Sequence, residues 1–148
     1  MRLKGPADIL LVEDNPSDVY LTQVALREAE IESHLHVAED GLKAISFLRR
    51  EGDFVDAPRP ELILLDLNLP GKDGRQLLSE IKADETLRRI PVIVLTTSTA
   101  DSDIETCYDL HCNCYITKPV DFDQFERVIG EIERFWLRFV TLPRDFSS

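Results

Sequence analysis

Residues 61–74 read Glu-Leu-Ile-Leu-Leu-Asp-Leu-Asn-Leu-Pro-Gly-Lys-Asp-Gly. Four apolar residues, Leu62 to Leu65, stop abruptly at a carboxylate, Asp66. An unbroken apolar run of this length fits a strand covered on both faces, as in a parallel sheet. The pattern recurs along the chain. Ile9 to Val12 is closed by Glu13-Asp14, Val92 to Leu95 by Thr96-Thr97-Ser98, and Cys114 to Ile116 by Thr117-Lys118-Pro119; His34 to Ala38 is a weaker run.

The segments between the runs have helical spacing. Asn15-Pro16-Ser17-Asp18 reads as a helix start with proline in the first turn, followed by Leu21, Val24 and Ala25 on one face. Asp40 can cap a second helix whose Gly41, Ala44, Ile45 and Leu48 share a face. Leu77, Leu78 and Ile81 mark a third. Ile104, Cys107, Tyr108 and His111 mark a fourth, behind the cap candidates Thr99 and Asp101. A fifth opens near Asp121 and carries Phe125, Val128, Ile129, Ile132, Trp136 and Phe139. Five strands alternating with five helices predict a doubly wound α/β sheet. Glu51 to Pro60 reads as a polar loop, and the stretch after Phe139 as irregular.

The 148 residues suit one domain with one substantial core. A composition of 43% hydrophobic and 30% charged residues excludes collagen-like and disordered classes. The net charge of −11 argues against nucleic acid and anionic lipid as partners. No apolar run reaches the roughly 20 residues of a membrane span, and the start does not read as a signal peptide. Three cysteines, an odd number, fit a reducing compartment, so a cytoplasmic protein is expected.

In an open parallel sheet, ligands bind beyond the carboxyl ends of the strands, near the switch point of strand order. There the predicted strands present Glu13 and Asp14, Asp66, Thr96 and Lys118. Each alone is an ordinary turn or surface residue; their joint occurrence, one set per strand end, carries the reading. Each pair of like charges about 4 Å apart costs on the order of 4 kcal/mol at an effective dielectric near 20. A divalent cation removes that cost. Few hard oxygen ligands with open positions suit Mg²⁺ better than Zn²⁺ or a caged Ca²⁺. Such a site supports phosphoryl transfer through an aspartyl-phosphate, with a metal and a lysine neutralising the phosphoryl oxygens.

The segments LLVEDNP, LILLDLNLPGKDG, IPVIVLTTS and CYITKP, in that order over about residues 7 to 130, resemble the receiver domain of two-component response regulators. The resemblance implies a flavodoxin-like sheet of order 2-1-3-4-5 flanked by five helices. It implies Asp66 as phospho-acceptor, and Glu13, Asp14, Asp66 and the Asn68 carbonyl around Mg²⁺, with Glu13 acting largely through water. Thr96 is then the switch hydroxyl, Tyr115 the switch aromatic, and Lys118 the phosphate-pairing cation before a cis Pro119. Pro70 and Gly74 would shape the loop at the edge of the site. The stretches GDFVDAPRPELILLDLNLP, LH-C-NCYITK and FWLRFVTLP further resemble single-domain regulators that partner cyanobacterial phytochrome-type histidine kinases. Glu13 stands where many receivers have Asp, and Thr97 where many have a smaller residue.

On this reading residues 1–148 form one receiver, with helix five and a C-terminal extension reaching 148 and no effector domain following. The chain is expected to be a phosphoacceptor rather than an enzyme. Its partners are a phytochrome-like sensor histidine kinase and a downstream phosphotransfer or effector protein. Its output is a change in the face of helix four, strand five and helix five. Two rivals remain. A phosphohydrolase of the haloacid-dehalogenase type needs a second acid two residues after its nucleophile, where this chain has Asn68. A receiver-like module that is never phosphorylated would lack one of the site residues, and all are present. The three cysteines lack paired metal-ligand spacing and read as small buried hydrophobes. His34, His36 and His111 lack an acid at triad-like spacing. No nucleotide-binding glycine motif occurs.

The fifth helix predicts an interface. Phe122, Phe125, Val128, Ile129, Ile132, Phe135, Trp136, Phe139 and Val140 cover roughly 140° of the helical wheel, wider than a one-sided helix needs. A helix from Asp121 to Phe139 is about 28 Å long, against a sheet edge of about 17 Å. Phe135, Trp136 and Phe139 should therefore overhang and join a homodimer through helix four, strand five and helix five. The alternative is that Leu142-Pro143 folds back over them within one chain.

Overall fold

Strand-forming runs and helix caps build a three-layer α/β sandwich in the computed structural model, which describes residues 5–29 and 32–143. In chain order the elements are β1 Ala7–Val12, α1 Pro16–Arg27, β2 Ser33–Ala38, α2 Gly41–Arg49, a short 3₁₀ turn Gly52–Phe54, β3 Leu62–Leu65, α3 Gly74–Ala83, β4 Val92–Thr96, α4 Asp101–Asp109, β5 Cys114–Thr117 and α5 Phe122–Arg134. A single π turn, Phe135–Phe139, continues α5. All strand pairs are parallel, and the sheet order is β2-β1-β3-β4-β5, as expected.

Period-two alternation along each strand divides the core. Leu10, Val12, Ile63, Leu65, Val92 and Val94 face α2 and α3, packing on Ala44, Leu48, Leu77, Leu78 and Ile81. Ile9, Leu11, Leu62, Leu64, Ile93 and Leu95 face α1 and α5, packing on Ala25, Leu26, Phe125, Ile129 and Ile132. Both faces of the central strands are thus dry, which is why those strands read as unbroken apolar runs. β2 is an edge strand and only partly buried, hence its weaker signal.

The starts of α1, α2 and α3 follow their side-chain acceptors. The Asn15 carboxamide accepts from the Ser17 and Asp18 amides at 2.9 and 3.2 Å. Asp40 accepts from the Lys43 amide at 2.8 Å. Asp73 and Gln76 form a capping box at the start of α3.

Several expectations are corrected. In α1, Ala25 is buried, but Leu21 and Val24 are only half-buried; Thr22 and Leu26 turn inward instead. Thr22 escapes a hydrophobic pattern because it is polar, yet its hydroxyl is satisfied by the Asp18 carbonyl at 2.8 Å. α4 starts without a side-chain cap, behind Ala100 rather than Thr99, and buries only Cys107 of its residues. In α5, Phe122 points to solvent. The π turn then shifts the register, so that Leu137 is buried, Trp136 half-buried, and Leu142 packs on the same cluster. Phe135 and Phe139 overhang as anticipated, at 54% and 69% exposed. Among the described residues no peptide bond is cis. The Lys118 amide continues the ladder to the Thr96 carbonyl at 2.7 Å, so the chain runs straight into a trans Pro119. His36 and His34 do have an acid partner. Nε2 of His36 and Nδ1 of His34 lie 2.9 and 3.6 Å from Oδ1 of Asp8, because parallel register sets Asp8 opposite His34. The three cysteines are free thiols, with Cys107 and Cys112 buried.

Gly74 is where α3 meets the end of β3. A Cβ there would lie 2.6 Å from the Leu67 Cα and still nearer the Asp66 carbonyl oxygen, both backbone atoms that cannot swing away. Gly130, in α5, faces open space. We expect Gly74→Ala to cost about 1–3 kcal/mol by overpacking. Gly130→Ala should stabilise by about 0.4–1 kcal/mol through the unfolded chain. Paired thermal melts check this: equal effects at the two positions would refute the close approach.

Candidate functional site

The chain leaves β1 for β2 on one side and reaches β3 on the other, so the switch point lies between β1 and β3. Sheet register brings the strand ends level there. Val12 pairs with Leu65 and Leu65 with Val94; Thr96 pairs with Thr117. The residue after each strand then faces the same crevice: Glu13 after β1, Asp66 after β3 and Lys118 after β5, with Thr96 ending β4.

Four of the expected residues are buried although polar: Glu13, Asp66, Thr96 and Lys118. Lys118 Nζ donates to Asp66 Oδ2 at 3.0 Å, to Asp18 Oδ2 at 2.8 Å and to Glu13 Oε1 in a short bond. The remaining Glu13 oxygen, Oε2, accepts from the Asp14 and Asn15 amides at 3.1 and 3.3 Å. Asp66 Oδ1 accepts from the Asn68 amide at 3.3 Å. Glu13, Asp14 and Asp66 each offer a carboxylate oxygen, all within 4.8 Å of one another. Two of these acids are buried and Asp14 is exposed, which leaves one side open to solvent. Among the described residues this is the one His/Cys/Asp/Glu group that could hold a metal ion. Its all-oxygen donor set fits a hard divalent cation.

The electrostatics follow from burial against one shared ammonium. Burial pushes the Glu13 carboxyl up to about 7, against the pull of Lys118 and with help from the Asp66 charge. Burial also opposes ionisation of Asp66, but Lys118 outweighs it and holds this carboxyl below its ordinary range. Burial would lower Lys118; its bonds to Asp18 and Glu13 and the charges of Glu13 and Asp66 outweigh this and keep the ammonium charged beyond the usual lysine range.

Asp18 is the residue that sequence reading missed. It registered only as part of a helix start. Its place one turn after Asp14, in the first turn of α1, is the signal that puts it on the face toward the strand ends. Lys118, expected from the resemblance to pair with phosphate, binds three carboxylates in this structure. Tyr115 is half-buried, and its hydroxyl donates to the Ser98 carbonyl at 2.9 Å. Thr97 is exposed. Asn68 and Pro70 lie exposed on the loop between β3 and α3, which Gly74 closes by donating its amide N–H to the Leu67 carbonyl at 3.0 Å.

A 2-1-3-4-5 sheet with an acidic cluster and one buried lysine at its switch point defines a receiver-type signalling protein. The response regulator receiver domain model matches residues 9–130, and the chain belongs to that family. It is 49% identical over 138 residues to the response regulator Rcp1 of Synechocystis sp., covering 93% of this chain and 94% of that protein. The solved structure of the phosphorylated cyanobacterial phytochrome response regulator RcpA superposes with a TM-score of 0.92 at 50% identity, over 95% of this chain and 100% of the other. The Mn²⁺-bound form of Rcp1 gives 0.90 at 49% identity, over 94% and 100%. The chain is thus a receiver related to phytochrome response regulators. Among the described residues no helix is long and apolar enough to cross a membrane.

A raised carboxyl pKa has a definite sign in stability. The folded state binds a proton at Glu13 more tightly than the unfolded chain, so this contribution is complete below pH 4.5 and lost as pH rises through about 7. In chelator, Glu13→Gln should therefore flatten the fall of the melting temperature between pH 5 and about 8 relative to wild type. Parallel slopes would show that Glu13 is not the titrating group.

Proposed function

We propose that the protein is a phosphorylation switch whose acceptor is Asp66, and that it acts as a single receiver unit. The observation that carries this is the Asp66 carboxylate: it follows β3 beside two other acids, with one oxygen on the Lys118 ammonium and the other on a backbone amide. An ionised carboxylate held by fixed donors is poised as a nucleophile. In the step itself, an Asp66 oxygen forms a bond to phosphorus while the P–N bond of a kinase phosphohistidine breaks. The imidazole leaves with the electron pair. Lys118, charged throughout, lies beside the anion that forms.

Glu13, Asp14 and Asp66 are the side chains proposed to hold Mg²⁺, with the Asn68 carbonyl as a further ligand. When bound, the ion neutralises carboxylates and phosphoryl oxygens alike. Buried Thr96 supplies a hydroxyl at the end of β4, and Tyr115 reports on the next loop through Ser98. These groups connect the site to the face of α4, β5 and α5, which is the proposed output. The relation to Rcp1 and RcpA favours a phytochrome-type sensor histidine kinase as donor. Exposed Phe135 and Phe139, with half-buried Trp136 between them, favour a homodimer through the α5 end of that face.

Acetyl phosphate with Mg²⁺ should add one phosphoryl group by intact mass, and Asp66→Asn should add none. Adduct on the Asn variant, or none on wild type, would refute the assignment. With a dissociation constant of about 1 mM, 10 mM Mg²⁺ adds roughly 1.4 kcal/mol, a melting rise of about 3–6 °C. Asp14→Ala should lose that rise. For the dimer, Phe135→Ala with Phe139→Ala should scatter light as a monomer and still accept phosphate. A wild type already monomeric at high micromolar concentration would end that part of the proposal.

A further inference from the structure

α4 is poorly anchored by apolar contacts: of its residues only Cys107 is buried, and its first turn lacks a side-chain cap. A polar chain holds that turn instead. Arg75, at the start of α3, donates from Nε and Nη2 to Asp103 Oδ1 at 3.0 and 2.6 Å. Its Nη1 donates to both Asp73 oxygens at 3.1 and 3.2 Å. The other Asp103 oxygen, Oδ2, accepts from the Ser98 hydroxyl at 2.6 Å. The Ser98 carbonyl takes the Tyr115 hydroxyl, and its amide points to the Thr96 hydroxyl at 3.5 Å.

The chain therefore spans the two loops that flank the acceptor. Asp73 and Arg75 belong to the turn that Gly74 presses onto the Asp66 and Leu67 backbone. Ser98 lies in the β4–α4 loop, two residues beyond Thr96, and Asp103 in the first turn of α4. Arg75 and Asp103 side chains are only 29% and 22% exposed, so the pair is better shielded than an open surface bridge. The Ser98 and Arg75 bonds also hold the Asp103 carboxyl below its ordinary range.

We propose that Arg75, Asp103 and Ser98 form a latch that holds the β4–α4 loop and the start of α4 in the resting arrangement, so that accepting a phosphoryl group at Asp66 requires this latch to yield. This rests on the phosphoacceptor reading above. Arg75, Asp103 and Ser98 act through Thr96 and α4 and touch no reacting atom, so they are positioning residues. Because the latch stabilises the resting form, weakening it shifts the population toward the accepting form.

The test uses Arg75→Met, which keeps the aliphatic stem, Arg75→Lys as the conservative variant, and Ser98→Ala. Two quantities are read with Mg²⁺ present. The first is amide hydrogen exchange over residues 98–107. Arg75→Met and Ser98→Ala should speed it roughly fivefold, with β1 and α5 unchanged and Arg75→Lys partly restored. The second is phosphoryl acceptance from acetyl phosphate, in which an Asp66 oxygen bonds to phosphorus while the O–P bond of the donor breaks and acetate leaves with the electron pair. Its rate at saturating donor should rise about threefold in Arg75→Met, with half-saturating donor unchanged. Unchanged exchange over α4 overturns the latch. Faster exchange with an unchanged rate makes the chain a structural tie only and overturns the coupling. Wild type taking no adduct on Asp66 instead overturns the phosphoacceptor reading, and the coupling with it.

Discussion

One ammonium at the meeting point of three carboxylates is the constraint on which the site depends. Lys118 binds Glu13, Asp18 and Asp66, two of them buried with it. In a chain of net charge −11, that much negative charge in one crevice would oppose folding without a cation. The lysine arrives from the far edge of the sheet, 105 residues after Glu13, so the site exists only when β1, β3, β4 and β5 are in register. The same cation that makes the folded site tolerable stands next to the carboxylate proposed to receive a phosphoryl group. New negative charge there competes directly for Lys118.

The backbone sets how close these groups come. Central strands buried on both faces fix register, because a slip of one residue would turn every side chain to the wrong layer. Gly41 and Gly74 let the starts of α2 and α3 close on the loop between β3 and α3; a Cβ at Gly41 would lie 2.5 Å from the Lys72 carbonyl oxygen. That loop is thus held at both ends. α4, by contrast, hangs on one buried cysteine and a polar chain. The half of the site packed by backbone contact carries the carboxylate proposed as acceptor, and the other half is held mainly by polar bonds.

Much of this is legible in the residue order. The runs ending at Glu13, Asp66, Thr96 and Lys118 announce both the strands and the edge they share, because a doubly covered strand must be apolar until it reaches solvent. Residues such as Asn15 and Asp40 mark helix starts by the same local logic, whereas the Asp73 cap of α3 emerges only in the structure. What escapes is what depends on distance across the fold. Asp18 reads as a cap-region acid until α1 is docked, and Thr22 as solvent until its hydroxyl finds a carbonyl one turn back. His36 and Asp8 are 28 residues apart and meet only through strand pairing. Arg75 and Asp103 are likewise 28 apart and meet only where α3 lies beside α4. Leu137 replaces its aromatic neighbours in the core because a π turn breaks the α-helical period there.

The coupling between Lys118 and its acids is measured most directly by a double-mutant cycle in metal-free buffer. Lys118→Met in the otherwise native chain should cost about 3–5 kcal/mol of unfolding free energy, since buried carboxylates lose their cation. In a background carrying Glu13→Gln and Asp66→Asn the same substitution should cost far less, because little charge is left to stabilise. An equal cost in both backgrounds would show that Lys118 contributes by packing alone and would contradict the account.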